Sequence, residues 1–167
     1  MVRRLPMRNM NNPNGHQPQL FATHSAKEPV LVSACFLGIP CRWHGRRAKR
    51  RDELLEKLKE KYVIVPICPE QLGGMPTPRT SETLPPDSTG ADVLDNGVRL
   101  IAPETGEDVT DFHIRGGEYS LEIAQIIGAK RAYLKGGSPS CDRDGILLVK
   151  SCVAVALMLY ESGEKIC

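Results

Sequence analysis

The chain has 167 residues, of which 41% are hydrophobic, with 22 Lys and Arg set against 20 Asp and Glu. A formal net charge of +2 excludes a protein that holds polyanions by overall charge, and the length supports one core of ordinary size. No apolar run approaches the roughly 20 residues of a membrane span, the longest being Val153 to Leu159.

Residues 1–27 are rich in Asn, Pro, Gln and His without apolar periodicity, so they are predicted to form a mobile tail ahead of a single domain over 28–167. The basic start, Met1 to Arg8, lacks the apolar stretch of a secretory signal, and a cytoplasmic location is expected. In a reducing compartment six cysteines point to metal ligands, reactive thiols or core packing rather than to a disulfide framework.

Val30 to Ala34 is a β-rich run that carries Cys35 at its end. After a turn through Gly38 and Cys41, the spacing of Leu54, Leu55 and Leu58 among charges predicts a surface helix from Arg47 to Tyr62. Val63 to Ile67 is the next strand, parallel to the first, and Cys68 follows it. Pro69 to Gly90 is dense in proline and glycine and predicts a stiff loop beside Cys68. Asn96-Gly97 between two short β-like runs signals a hairpin within 92–109. Thr110 is the expected N-cap of a helix through Ile127, stopped by Gly128.

Arg131 to Lys135 reads as the third strand and feeds the turn Gly136 to Cys141. A last helix is expected over Ser151–Glu161, with Val153, Leu157 and Tyr160 as its apolar contacts and Cys152 in the core, before a short strand over 165–167. Strands alternating with helices predict a three-layer, Rossmann-like α/β domain with a mainly parallel central sheet.

Cys35, Cys68 and Cys141 therefore stand at the far ends of three strands. In an open α/β sheet the carboxyl ends of parallel strands open onto one crevice, so cysteines distant in sequence can converge there, and three thiolates suggest a metal site. The plainer alternative for any one of them is burial as a small hydrophobe. Cys41 lies near enough to Cys35 to reach that site, to act as acid or base, or to pair with Cys35.

Four ordered motifs then carry a resemblance. They are Ser33-Ala-Cys35 with Gly38, Cys41, Arg42 and Gly45; Cys68-Pro-Glu70 with Gly74 and Arg79; Gly106 with Thr110 and Phe112; and Lys135 with Ser138-Pro-Ser-Cys141. Over about residues 30 to 165 the chain resembles the thiouracil desulfurase family. The resemblance implies a 4Fe-4S cluster held by Cys35, Cys68 and Cys141, with a fourth iron open to the substrate's sulfur. Soft thiolates suit such a cluster, and the wide separations differ from the compact C-x-x-C pairs of zinc ribbons and ferredoxins.

Glu70 follows Cys68 by two residues across Pro69, so it is expected to project into the same crevice as general acid or base, because desulfuration needs a proton delivered and a water activated. Ser138 is implied as an active-site residue and Cys41 as a neighbour of the cluster outside the ligand set. Ser140 is a further candidate for orienting substrate, although serine is common in turns. Arg42, Trp43 and His44 form a polar and aromatic edge, and the Trp43 indole could stack on a pyrimidine. After Cys141 the chain departs from the family, running from Asp142 to Gly145 almost directly into Ile146 where a longer loop is usual.

The expected activity is desulfuration of a thiolated pyrimidine, as base, nucleoside or nucleotide, to the oxo base with release of sulfide. Two other classes stay open at this point: a non-catalytic zinc-binding or redox-sensing module, and a tRNA-associated protein. The second draws on Arg46 to Arg51, five cations in six residues, which the predicted helix start would place where the macrodipole disfavours positive charge.

Overall fold

A computed structural model describes residues 27–142, 145–146, 158–161 and 164–166. Five strands form one sheet in the order β2-β1-β3-β4-β5. Strand β1 (Glu28–Ser33) lies between β2 (Tyr62–Ile67) and β3 (Arg131–Tyr133), parallel to both. Beyond them β4 (Met158–Glu161) runs parallel to β3, and β5 (Glu164–Ile166) turns back antiparallel.

Val30, Leu31 and Val32 have no solvent exposure, as a central strand covered on both faces requires. Their alternation divides the core. Leu31 packs with Ile67, Ala124, Ala132 and Leu134 on one face, whereas Val30 and Val32 pack with Leu55 and Leu58 on the other. Helix α1 (Asp52–Lys61) supplies the second pair, and the sheet with a helix on either face is the expected three-layer, mainly parallel α/β arrangement. Pro66 is tolerated in β2 because that strand is the sheet's edge.

Helix α1 begins five residues later than the leucine spacing suggested. Asp52 and Glu53 open it and Lys59 and Lys61 close it, so its charges follow the dipole. Arg46 to Arg51 lie ahead of the helix in an irregular stretch, and the electrostatic penalty that hinted at an anionic partner does not arise there.

Cys68 ends β2, and Pro69 opens the short helix α2 (Pro69–Leu72), where its missing N–H costs nothing. Helix α2 packs on α4 (Thr110–Ile127) through two glycines. A Cβ on Gly116 would run into the carbonyl of Pro69, and one on Gly73 into the carbonyl of Phe112, far inside van der Waals contact. The close approach fixes the Cys68-Pro69-Glu70 turn on the long helix. Gly128, at φ 70°, ends α4 as expected. Thr110 is the first residue inside that helix rather than its cap, and its hydroxyl accepts the Leu100 N–H at 2.8 Å.

Two further sequence expectations fail. Residues 90–95 form helix α3 (Gly90–Asp95), started by a capping box in which Thr89 and Asp92 exchange hydrogen bonds, and Asn96-Gly97 ends that helix instead of turning a hairpin. The local antiparallel contact is a single bridge between Ile101 and Asp108. At the C-terminus, residues 158–161 of the expected last helix are strand β4, which covers the free edge of β3. The rest of that expectation, with Cys152, Val153 and Leu157, lies outside the described residues, as do Cys167 and the expected tail up to residue 26. The short final strand is β5. No helix among the described residues is long and apolar enough to cross a membrane.

Candidate active site

From β1 the chain crosses to β2 on one side and returns to β3 on the other, so the order reverses between β1 and β3. At such a reversal the connections leave in opposite directions and open a crevice at the carboxyl ends. Ser33 Oγ accepts the Lys135 N–H at 2.9 Å and ties the two strand exits together.

A pocket of about 110 Å³ opens there. Its wall includes Cys35 from the 3-10 turn after β1 (Ala34–Leu37), Cys41 from the next turn, Cys68 from the end of β2 and Cys141 from the turn after β3. The three expected ligands thus share one cavity with a fourth thiol. All four are free thiols, with only Cys68 partly open to solvent.

The thiols are electrostatically unequal. The Cys41 thiol lies between Cys35 and Cys68 and its S–H favours their thiolate forms, bringing both down to about 7. Burial opposes this in both cases, and Arg42 and Lys135 assist at Cys35 while Arg79 assists at Cys68. Cys41 is correspondingly pushed well up. Cys141 is raised to about 12, by burial first and then by the charges of Cys68 and Cys35. A bound metal would have to displace the Cys141 proton.

Glu70 projects from α2 into the same pocket. Ser138 Oγ donates to its Oε1 at 2.8 Å, and Arg79 Nη2 donates to its Oε2. The Arg79 side chain is 3% exposed and that of Glu70 14%, so the pair is shielded from solvent. Arg79 also donates to the Cys41 carbonyl at 3.2 Å, and its own N–H reaches the Trp43 carbonyl at 2.8 Å. One guanidinium thereby holds the Cys41 turn, Glu70 and the proline-rich loop together.

Arg42 and Trp43 line the pocket, the latter 42% exposed and edge-on to His44 at 5.0 Å between ring centres. Ser140 does not reach the pocket wall. It is fully buried behind it, with its hydroxyl 2.7 Å from His113 Nδ1 and its N–H donating to Ser138 Oγ at 3.3 Å. His113, on α4, has no exposure, and its Nε2 has no partner among the described residues.

Arg79, Glu82, His113 and Lys135 were not singled out from the sequence. Arg79 and Lys135 stood inside motifs without a role, and His113 belongs to the buried stripe Thr110, His113, Gly117, Ser120 and Ala124, whose helical spacing is visible once α4 is placed. Glu82 had no signal.

His113 gives a pH dependence. Burial, followed by the charge of Arg79, lowers it from 6.5 to about 4. As pH falls the unfolded chain takes up this proton first, so the stability present above pH 6.5 is lost as pH approaches 4, by up to about 3 kcal/mol. Urea midpoints measured from pH 7 to pH 4 should fall less steeply for His113→Phe than for the native chain. Parallel profiles would contradict the assignment.

A family model described as 2-thiouracil desulfurase matches residues 30–158. The uncharacterized protein YbbK of Bacillus subtilis (strain 168) is 42% identical over 112 residues, spanning 67% of this chain and 72% of its own length. A solved structure of the [4Fe-4S]-dependent thiouracil desulfidase TudS superposes with a TM-score of 0.66 at 27% identity, covering 80% of this chain and 90% of that one. The tRNA modification GTPase MnmE of Blochmanniella pennsylvanica matches over 61 residues at 38% identity, 13% of its length.

The donor set fits an iron-sulfur cluster. Thiols on three separate turns face one cavity, two of them at about 7 and with cations nearby. Among the described residues, no three His, Cys, Asp or Glu gather closely enough to hold a single metal ion. Fold, pocket and the matched span agree, and the chain belongs to the 2-thiouracil desulfurase family.

Proposed function

We propose that this protein is a desulfidase that converts a thiolated pyrimidine, as base, nucleoside or nucleotide, to its oxo form, with a 4Fe-4S cluster held by Cys35, Cys68 and Cys141. The observation that carries this reading is the meeting of those three thiols with the Ser138–Glu70 pair in one small pocket. The reaction is a net hydrolysis. Water supplies oxygen to the carbon and two protons to the departing sulfur, giving hydrogen sulfide with no change in overall oxidation state.

Such a cluster, held by Cys35, Cys68 and Cys141, would supply a thiophilic Lewis acid for the substrate's sulfur. The chain's own groups do the rest. Glu70 is an acceptor fixed by donors from Ser138 and Arg79, and in that position it takes a proton from water as the water adds to the ring carbon. Trp43 offers a flat face at the mouth, suited to stacking on the base. Cys41, well above the range in which it would be a thiolate, serves as an S–H donor beside the ligands.

Anaerobic preparations should contain about four iron and four acid-labile sulfide per chain, absorb in the visible, and bleach the thiocarbonyl absorbance of 2- or 4-thiouracil as sulfide appears. A colourless protein carrying zinc would overturn the reading in favour of a structural metal module.

A further inference from the structure

The pocket holds a second carboxylate. Glu82 comes from the proline-rich loop, which presents Ser81, Glu82 and Thr83 to the cavity, and it is 8% exposed. Its Oε1 accepts from the Thr80 hydroxyl at 2.7 Å, and no ion pair to it is present among the described residues. Of the cations around the pocket, Arg79 serves Glu70 and the Lys135 ammonium donates to the Gly136 carbonyl.

A carboxylate has about four lone-pair sites, and the Thr80 hydroxyl takes one of them, which leaves Glu82 with acceptor capacity for a guest in the cavity it lines. That cavity is too small for a guest to avoid its walls. A thiolated pyrimidine carries a polarised ring N–H next to its C=S, a hydrogen-bond donor that suits this carboxylate.

On the desulfidase reading, we propose that Glu82 accepts the ring N–H adjacent to the thiocarbonyl and thereby restricts the substrate to thiopyrimidines that carry that N–H. Glu70 and Glu82 then divide the work: one, held by its own cation, faces the water, and the other, open to the cavity, reads the base. The specificity follows from what a buried polar group does to a mismatched ligand. An N-methylated ring leaves the carboxylate desolvated and unpaired, a larger loss than a missing apolar contact.

The test uses the iron-loaded protein with 4-thiouracil and 3-methyl-4-thiouracil, read both as equilibrium binding and as desulfuration. Binding of 4-thiouracil should exceed that of the methylated ring by about tenfold to a hundredfold. Glu82→Met should lower binding of 4-thiouracil by a similar factor, raise its KM with kcat little changed, and strengthen binding of the methylated ring, which no longer strands a carboxylate. Glu82→Gln, which keeps a neutral acceptor and the Thr80 contact, should fall between. Equal binding of the two rings by the native protein, or unaltered 4-thiouracil binding by Glu82→Met, would overturn the assignment. Discrimination in binding without sulfide release would keep it and refute the desulfidase reading instead.

Discussion

Glu70→Gln is expected to lower kcat by about 10²- to 10⁴-fold, the usual contribution of a positioned general acid or base, while iron content and colour stay as in the native protein. The variant isolates proton transfer from structure. A glutamine carbonyl can still accept from Arg79 or from Ser138, so the buried guanidinium keeps a partner. Glu70→Ala does not offer this. It would take the only carboxylate from an Arg79 side chain that is 3% exposed and whose Nε has no partner among the described residues, at a cost of about 3–5 kcal/mol for breaking a buried pair. Comparing the two variants by kcat, iron and thermal midpoint separates chemistry from folding. Full turnover in Glu70→Gln would remove Glu70 from the reaction.

The same network shows what could be anticipated from residues and what could not. Cys35, Cys68 and Glu70 were legible because strand ends are punctuated: Gly38 follows the first cysteine and Pro69 the second, and the positions of strand ends decide which side chains share a crevice. The stop of α4 at Gly128 was legible for the same reason. Asn96-Gly97 misled because residues that favour positive φ serve a helix end as readily as a hairpin. Only the Thr89–Asp92 capping box, three residues apart, distinguishes the two.

Groups that act through tertiary contacts left no local mark. Arg79 reaches Glu70, the Cys41 carbonyl and the Trp43 carbonyl from a proline-rich loop with no periodicity. Glu82 lies in the same loop. The Ser138-Pro-Ser140 turn placed two hydroxyls together in sequence, yet only the fold decides that Ser138 turns toward Glu70 and Ser140 toward His113. The basic run before α1 shows the converse. Its composition was plain, but its meaning depended on a helix start that the acids Asp52 and Glu53 place later.

Cys141→Ala and Cys41→Ala should part company, although both side chains are buried in the same pocket. Cys141 comes from the turn after β3, across the sheet's point of reversal from the Cys35 turn, and no other described thiol approaches from that side. On the proposed ligation its loss would leave a cluster with two of three anchors, and iron, sulfide and activity should fall together to background. Cys41 is next to two thiolates that do not need it for metal binding, since a bound iron replaces the S–H bond as the source of their stabilisation. Cys41→Ala should therefore retain iron and visible absorption, with turnover reduced. Trimming one sulfur from either site costs about 1 kcal/mol of stability, too little to confuse the outcome. A Cys141→Ala protein that keeps four irons, or a Cys41→Ala protein that keeps none, would require a different ligand set.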